Sequence, residues 1–225
     1  MKKENLLNLV KVICLFVVYL IYSNLFQYVF DLLSIKNSII TMFAGDVFFL
    51  FMIVILYWKE VKDSLTNLDK SKKKFIFKII KGVILLFVVN MIVGIVSEIL
   101  VPMSGADDNT QSLYDLSELS FTYTLFKTLF FGVIAEELLF KQSIRSIIPN
   151  NVLFVIISSL IYAVMNVIYG DLNSPYLLTD ALSYFAVSAT LAIIYVKNDD
   201  NIVLVMFTKF FYNLIPMCLL IAELF

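Results

Sequence analysis

The 225-residue chain has no histidine and one arginine, Arg145. Without histidine it lacks the side chain that titrates near neutral pH. That excludes a zinc intramembrane protease built on an H-E-x-x-H helix, and equally a serine–histidine site. Cysteine is almost absent: Cys14 and Cys218 lie in apolar runs at opposite ends of the chain and read as two buried free thiols. Charge is scarce, with 17 Lys and Arg against 18 Asp and Glu. The net charge of −1 gives no reason to expect a nucleic-acid partner. Internal repeats, low-complexity tails and stretches that would fold as a soluble domain are missing too.

What the chain has is apolar surface. Hydrophobic residues make up 61% of it, with 21 Phe and 12 Tyr, and the mean hydropathy is +0.92. Apolar runs of about 20 residues recur from end to end, each long enough to cross a ~30 Å hydrocarbon layer as a helix. A soluble bundle would show polar faces at helical period, whereas these runs are apolar all round. The expected fold is all-α: a polytopic transmembrane helical bundle, residues 1–225 forming one membrane-embedded domain whose first partner is the lipid bilayer.

About seven spans are expected, near residues 6–30, 39–58, 75–100, 119–141, 152–169, 177–196 and 202–225. The first follows a charged Met1-Lys2-Lys3-Glu4 start. It is too long for a signal peptide and no A-x-A-like site follows, so it reads as a retained span. A charged linker over 59–74 and a polar, acidic loop over 101–118 separate the early spans. Turns follow at Pro149-Asn150-Asn151, 170–175 and 197–200. With this count Lys2, Lys3, the lysines of 59–74, Lys141, Arg145 and Lys197 all fall on one side. That places the N-terminus in the cytoplasm and the C-terminus outside. The lysine-rich linker also suits anionic lipid, although an orientation signal is the plainer reading. The lone polar residues Asn90, Glu98 and Lys127 read as interhelical or interfacial groups, and Pro216 as a bend in the last helix.

The fourth run ends in Glu136-Glu137-Leu138-Leu139-Phe140-Lys141, two adjacent carboxylates in an apolar setting. A charge buried in lipid costs about 2.5–3.5 kcal/mol on insertion scales, so a doublet needs partners or a chemical role. Neighbours on an α-helix diverge by ~100°, so the two glutamates face different ways. Glu137 and Lys141 form an i,i+4 pair in the favourable order. One carboxylate is then neutralised while the other faces a cavity, where it would suit a general base acting on water. Ion pairing between helices alone would also account for the doublet. Asp46 and Asp180 might suggest an aspartyl dyad, but Gly45-Asp46 lacks the G-x-G-D context.

The glutamate segment resembles the E-E-x-x-x-R motif of the CAAX protease and bacteriocin-processing (CPBP, Abi-type) family of intramembrane endopeptidases. Tyr162-Ala163-Val164-Met165-Asn166 stands where that family has F-x-x-x-H, and Lys209-Phe210-Phe211-Tyr212-Asn213 where it has H-x-x-x-N. The likeness covers about residues 120–216, after three N-terminal spans. It implies Glu136 as the base that activates water, Glu137 and Lys141 as its supporting pair, and Asn213 as an oxyanion donor. Asn166 and Lys209 stand at the positions of the two family histidines. No metal or cofactor is implied.

The departures bear on activity. Lys141 keeps the charge of the family arginine but not its bidentate fork. Asn166 can orient water but cannot carry a proton near neutral pH. Lys209 puts an ammonium where a ring belongs; it would hold Glu136 ionised or, in another geometry, donate to an oxyanion. Tyr162 for phenylalanine reads as mild. Losing a positioned acid–base group typically costs ~10²–10⁴-fold in rate. The expected function is therefore a catalytically degraded family member that binds and stabilises or escorts a membrane or secreted protein. The alternative is an active glutamic endopeptidase cutting a lipidated or leader-peptide substrate. Abundant Lys, Ile and Asn beside a single Arg fit an AT-rich, bacterial genome, hence a cytoplasmic membrane.

Overall fold

The computed structural model describes residues 3–68, 72–101, 108–168 and 176–224, and every regular element among them is helical. In order these are α1 (Lys3–Leu32), α2 (Ser38–Leu56), α3 (Trp58–Leu68), α4 (Lys72–Leu100), α5 (Asp108–Phe126), α6 (Asn151–Val167), α7 (Leu177–Lys197) and α8 (Ile202–Leu224). Between α5 and α6 the chain is wound as π-helix over Lys127–Ala135 and Leu138–Ser143. Glu136 and Glu137 join the two π stretches in α geometry. Expectations about residues 1–2, 69–71, 102–107, 169–175 and 225 lie outside the described residues.

Five of the described helices are long and apolar enough to cross a membrane: Leu6–Leu32, Ser38–Leu56, Lys73–Leu100, Leu177–Lys197 and Ile202–Ala222. A shorter apolar helix, Asn151–Val167, lies among them. The molecule is an all-helical membrane bundle, and its outer surface is greasy: Leu7, Ile13, Phe51, Ile84 and Ile99 are all exposed. Cys14 and Cys218 are exposed too, which corrects their reading as buried thiols. In a membrane bundle an apolar run has two apolar destinations, the core and the lipid, and these cysteines take the second.

Asparagine starts three of the helices. The side chains of Asn37, Asn150 and Asn201 accept from the main-chain N–H of Ile40, Leu153 and Leu204, at 3.1, 3.0 and 2.9 Å. Each satisfies a donor that the first turn would otherwise leave orphaned. Two expected connections prove helical. The charged linker folds from Trp58 to Leu68 as α3, burying Ser64 against the bundle while Trp58 and Leu65 stay exposed. Its charges recur at helical period on one side, a pattern that charge density alone obscured. The acidic stretch is likewise helical from Asp108, and α5 breaks at Ser120 (φ −164°, ψ 99°). There the Ser120 hydroxyl accepts from Tyr123 N at 3.3 Å and caps a new helical run, close to the expected start of the fourth span.

The core is shared by Phe49 and Ile53 of α2, Leu86 of α4, Leu138–Phe140 of the π segment, Phe154 of α6, Leu191 and Tyr195 of α7, and Val205 of α8. α6 lies along α7, and α4 packs against both α7 and α8. The connections bearing positive charge meet at one end of the bundle. Arg145 Nε pairs with Asp200 Oδ2 at 2.8 Å, Asn201 Nδ2 donates to Ser64 O at 3.2 Å, and Lys11 Nζ donates to Leu56 O at 3.3 Å.

α4 can approach α8 closely because residue 82 is glycine. A Cβ there would stand 2.7 Å from Thr208 Cγ2 and 3.2 Å from Ile194 Cδ1. Gly82→Ala is expected to destabilise by about 1–3 kcal/mol through overpacking. Gly94→Ala, where nothing lies within 4 Å, is expected to leave stability unchanged or slightly raised. Thermal unfolding of the two variants in one detergent checks the contrast.

Candidate functional site

Lys209, from the second turn of α8, reaches the glutamate doublet. Its ammonium donates to Glu137 Oε1 at 2.7 Å and to Glu136 Oε2 at 3.2 Å. The adjacent carboxylates do diverge, as the helical period requires, but one long flexible cation from a facing helix enters the wedge between them. The expectation that Glu136 faces a cavity apart from its neighbour's ion pair is therefore corrected: one ammonium serves both acids.

Lys141 is fully buried and its Nζ stands 3.8 Å from Glu137 Oε2, an ion pair without a hydrogen bond. It donates instead to Ser188 Oγ on α7, at 2.8 Å. Here the difference between lysine and arginine is visible. A single point charge satisfies one acceptor well, where a guanidinium fork could reach two. Two acids and two cations make the cluster neutral in sum, which suits a low-dielectric interior.

Tyr162 turns out to be central. Its hydroxyl donates to Glu136 Oε2 at 3.2 Å, and its ring lies under both ammonium groups, with Lys141 Nζ at 5.3 Å and Lys209 Nζ at 5.1 Å from the centroid. Each cation gains from the negative face of the ring. Phe140 packs edge-on against it, centroids 5.0 Å apart at 89°. The sequence reading passed over this residue as a mild substitution and missed Ser188 altogether. The available signal was a phenol in place of an apolar ring, on the helix that follows the glutamates.

The two asparagines do not join the glutamates. Asn166 Nδ2 donates to Tyr162 O one turn back in its own helix, at 2.8 Å. Asn213 Nδ2 donates to Thr128 O at 3.0 Å, across to the π segment. Of the six candidate positions, Glu136, Glu137, Lys141 and Lys209 converge, while Asn166 and Asn213 brace main chain. Glu137 is sealed, with its side chain 1% exposed; Glu136 keeps 16%.

A second polar cluster sits on the same π segment. Asp46 of α2, buried, accepts from Tyr22 at 2.6 Å, from Tyr123 at 2.8 Å and from Lys127 at 3.0 Å. The carboxylate is thus fully engaged, which leaves no support for an aspartyl dyad. Between the clusters lies an aromatic layer in which Tyr22 stacks on Phe49 with centroids 5.2 Å apart, and Tyr19 meets Phe140 edge-on.

A family model described as type II CAAX prenyl endopeptidase Rce1-like matches residues 118–215. This part of the chain is similar to that family. The matched stretch begins two residues before the Ser120 break and runs through Asn213, so it contains all six candidate positions. No curated protein and no solved structure matches the chain. Within the matched segment each acid of the doublet has a lysine partner, and the chain supplies no histidine.

Proposed function

We propose that this Rce1-like membrane protein is a catalytically degraded member of its family, which binds and stabilises or escorts a membrane or secreted protein. The observation that carries the reading is Lys209 held against both glutamates at 3.2 and 2.7 Å. To activate water, Glu136 would have to accept its proton, yet Oε2 already receives the Tyr162 hydroxyl and the Lys209 ammonium. Asn166 offers no proton carrier in place of the family histidine. The cluster then serves as a buried ion-pair network that fixes α8 and α6 on the π segment, leaving the outer helix faces for a partner. The protein sits in the bacterial cytoplasmic membrane with its basic end in the cytoplasm, as the lysine distribution supports.

The test is Glu136→Gln. Lys209 retains Glu137 at 2.7 Å, so the variant is expected to fold, to keep its biological activity and to retain a co-purifying protein. Wild-type protein incubated with a prenylated CAAX peptide is expected to release no more product than the variant. A second reading, an active glutamic endopeptidase, draws on the residual exposure of Glu136. It requires the opposite result: cleavage by the wild type, lost in Glu136→Gln at normal expression and folding.

A further inference from the structure

A cavity of about 350 Å³ opens at the basic end of the bundle, away from the glutamate cluster. Lys74 and Lys78, one turn apart near the start of α4, line one side of it. Asn67 at the end of α3 and Asn198, Asp199 and Asn201 in the α7–α8 turn complete the polar wall. Phe75 and Leu204 supply apolar lining. Asp199 and Asp200 both adopt left-handed backbone (φ 56° and 55°), folding the turn into a tight corner. Asp200 is turned to Arg145, with which it pairs.

From these observations we infer that the cavity is a binding site for the headgroup of an anionic glycerophospholipid. Two lysines against one aspartate leave the wall one positive charge in excess. That matches a single phosphodiester whose headgroup is otherwise neutral and carries hydroxyls, which Asp199 and the asparagine amides can engage. The surroundings fit a lipid rather than a free anion. Leu85 and Ile92, seven and fourteen residues beyond Lys78 and so on its side of the helix, continue down α4 as exposed apolar side chains, a track for the acyl chains. Next to the cavity, α3 exposes Trp58 and Leu65 on one sector, apolar side chains suited to the membrane interface. The site shares α8 with the glutamate cluster, Leu204 lying five residues before Lys209, but it needs none of that cluster's chemistry.

The full chain, purified in detergent, is titrated with dioleoyl-phosphatidylglycerol and, separately, with dioleoyl-phosphatidylcholine, and binding is read by native mass spectrometry. Phosphatidylglycerol is expected to bind preferentially. Lys74→Gln/Lys78→Gln is expected to weaken it on the order of 30-fold, from about 1 kcal/mol for each of two lysines. Asp199→Asn is expected to tighten binding several-fold, a gain that misfolding cannot mimic. Lys59→Gln/Lys62→Gln removes equal charge from exposed α3 positions outside the cavity and is expected to have little effect. Equal binding of phosphatidylcholine, an equal loss in the α3 variant, or no gain in Asp199→Asn would overturn the assignment. Displacement of the lipid by millimolar inorganic phosphate would overturn it too, marking a small-anion site instead.

Discussion

Replacing Lys209 with methionine is expected to cost about 3–5 kcal/mol of stability, enough to abolish most folded protein. The size follows from what is left behind. Glu137 is sealed from solvent, and its remaining cation, Lys141, is 3.8 Å away and hydrogen-bonded to Ser188. Removing one partner of a buried pair leaves an uncompensated charge, whereas removing both often costs little. Lys209→Met combined with Glu137→Gln is accordingly expected to recover much of the loss, leaving Lys141 to balance Glu136. Thermal unfolding in detergent, followed by fluorescence-detected size exclusion, measures both variants. A single variant as stable as wild type would mean that Lys209 does not bridge the doublet, and the proposed function would lose its basis.

The second large effect belongs to Asp46. Asp46→Ala would strand two phenols and an ammonium that now share one carboxylate, and is expected to cost about 3–5 kcal/mol. Lys127→Met should cost less, since Lys127 is 38% exposed and its ammonium can reach water or headgroups. Asp46→Asn should fall between them, keeping a hydrogen-bonding group while losing the charge. The same unfolding assay ranks the three. A Lys127→Met penalty equal to or above that of Asp46→Ala would show that the lysine, not the aspartate, organises this cluster. Both clusters sit on the π-wound segment, Lys127 at its start and the glutamates at its midpoint. Their loss should therefore compromise the same helical packing.

Much of the bundle was legible in advance because lipid imposes a strict rule: a run near 20 apolar residues must be helical to satisfy its backbone. The asparagine turn at Pro149-Asn150-Asn151 was legible for a similar reason, since Asn150 both ends a turn and caps α6. The charged linker is helical over Trp58–Leu68, which charge density alone does not disclose, because lysines and acids at helical period suit the headgroup layer as well as a loop. The cysteines were misplaced because hydropathy cannot separate a side chain facing lipid from one facing the core. The π winding left no mark that composition would disclose.

For the site, the glutamate doublet, its i,i+4 lysine and the order of the three motifs could be read along the chain, because each lies within one helix and helical period governs spacing there. That Lys209 rather than Lys141 makes the short bonds, that Tyr162 touches Glu136, and that Asn166 and Asn213 turn to main chain all depend on how four helices are rotated and slid against one another. Helices apolar on every side carry no stripe to specify that register. It is settled by shape, by close approaches such as Gly82 on Thr208, and by the need of each buried charge for a partner.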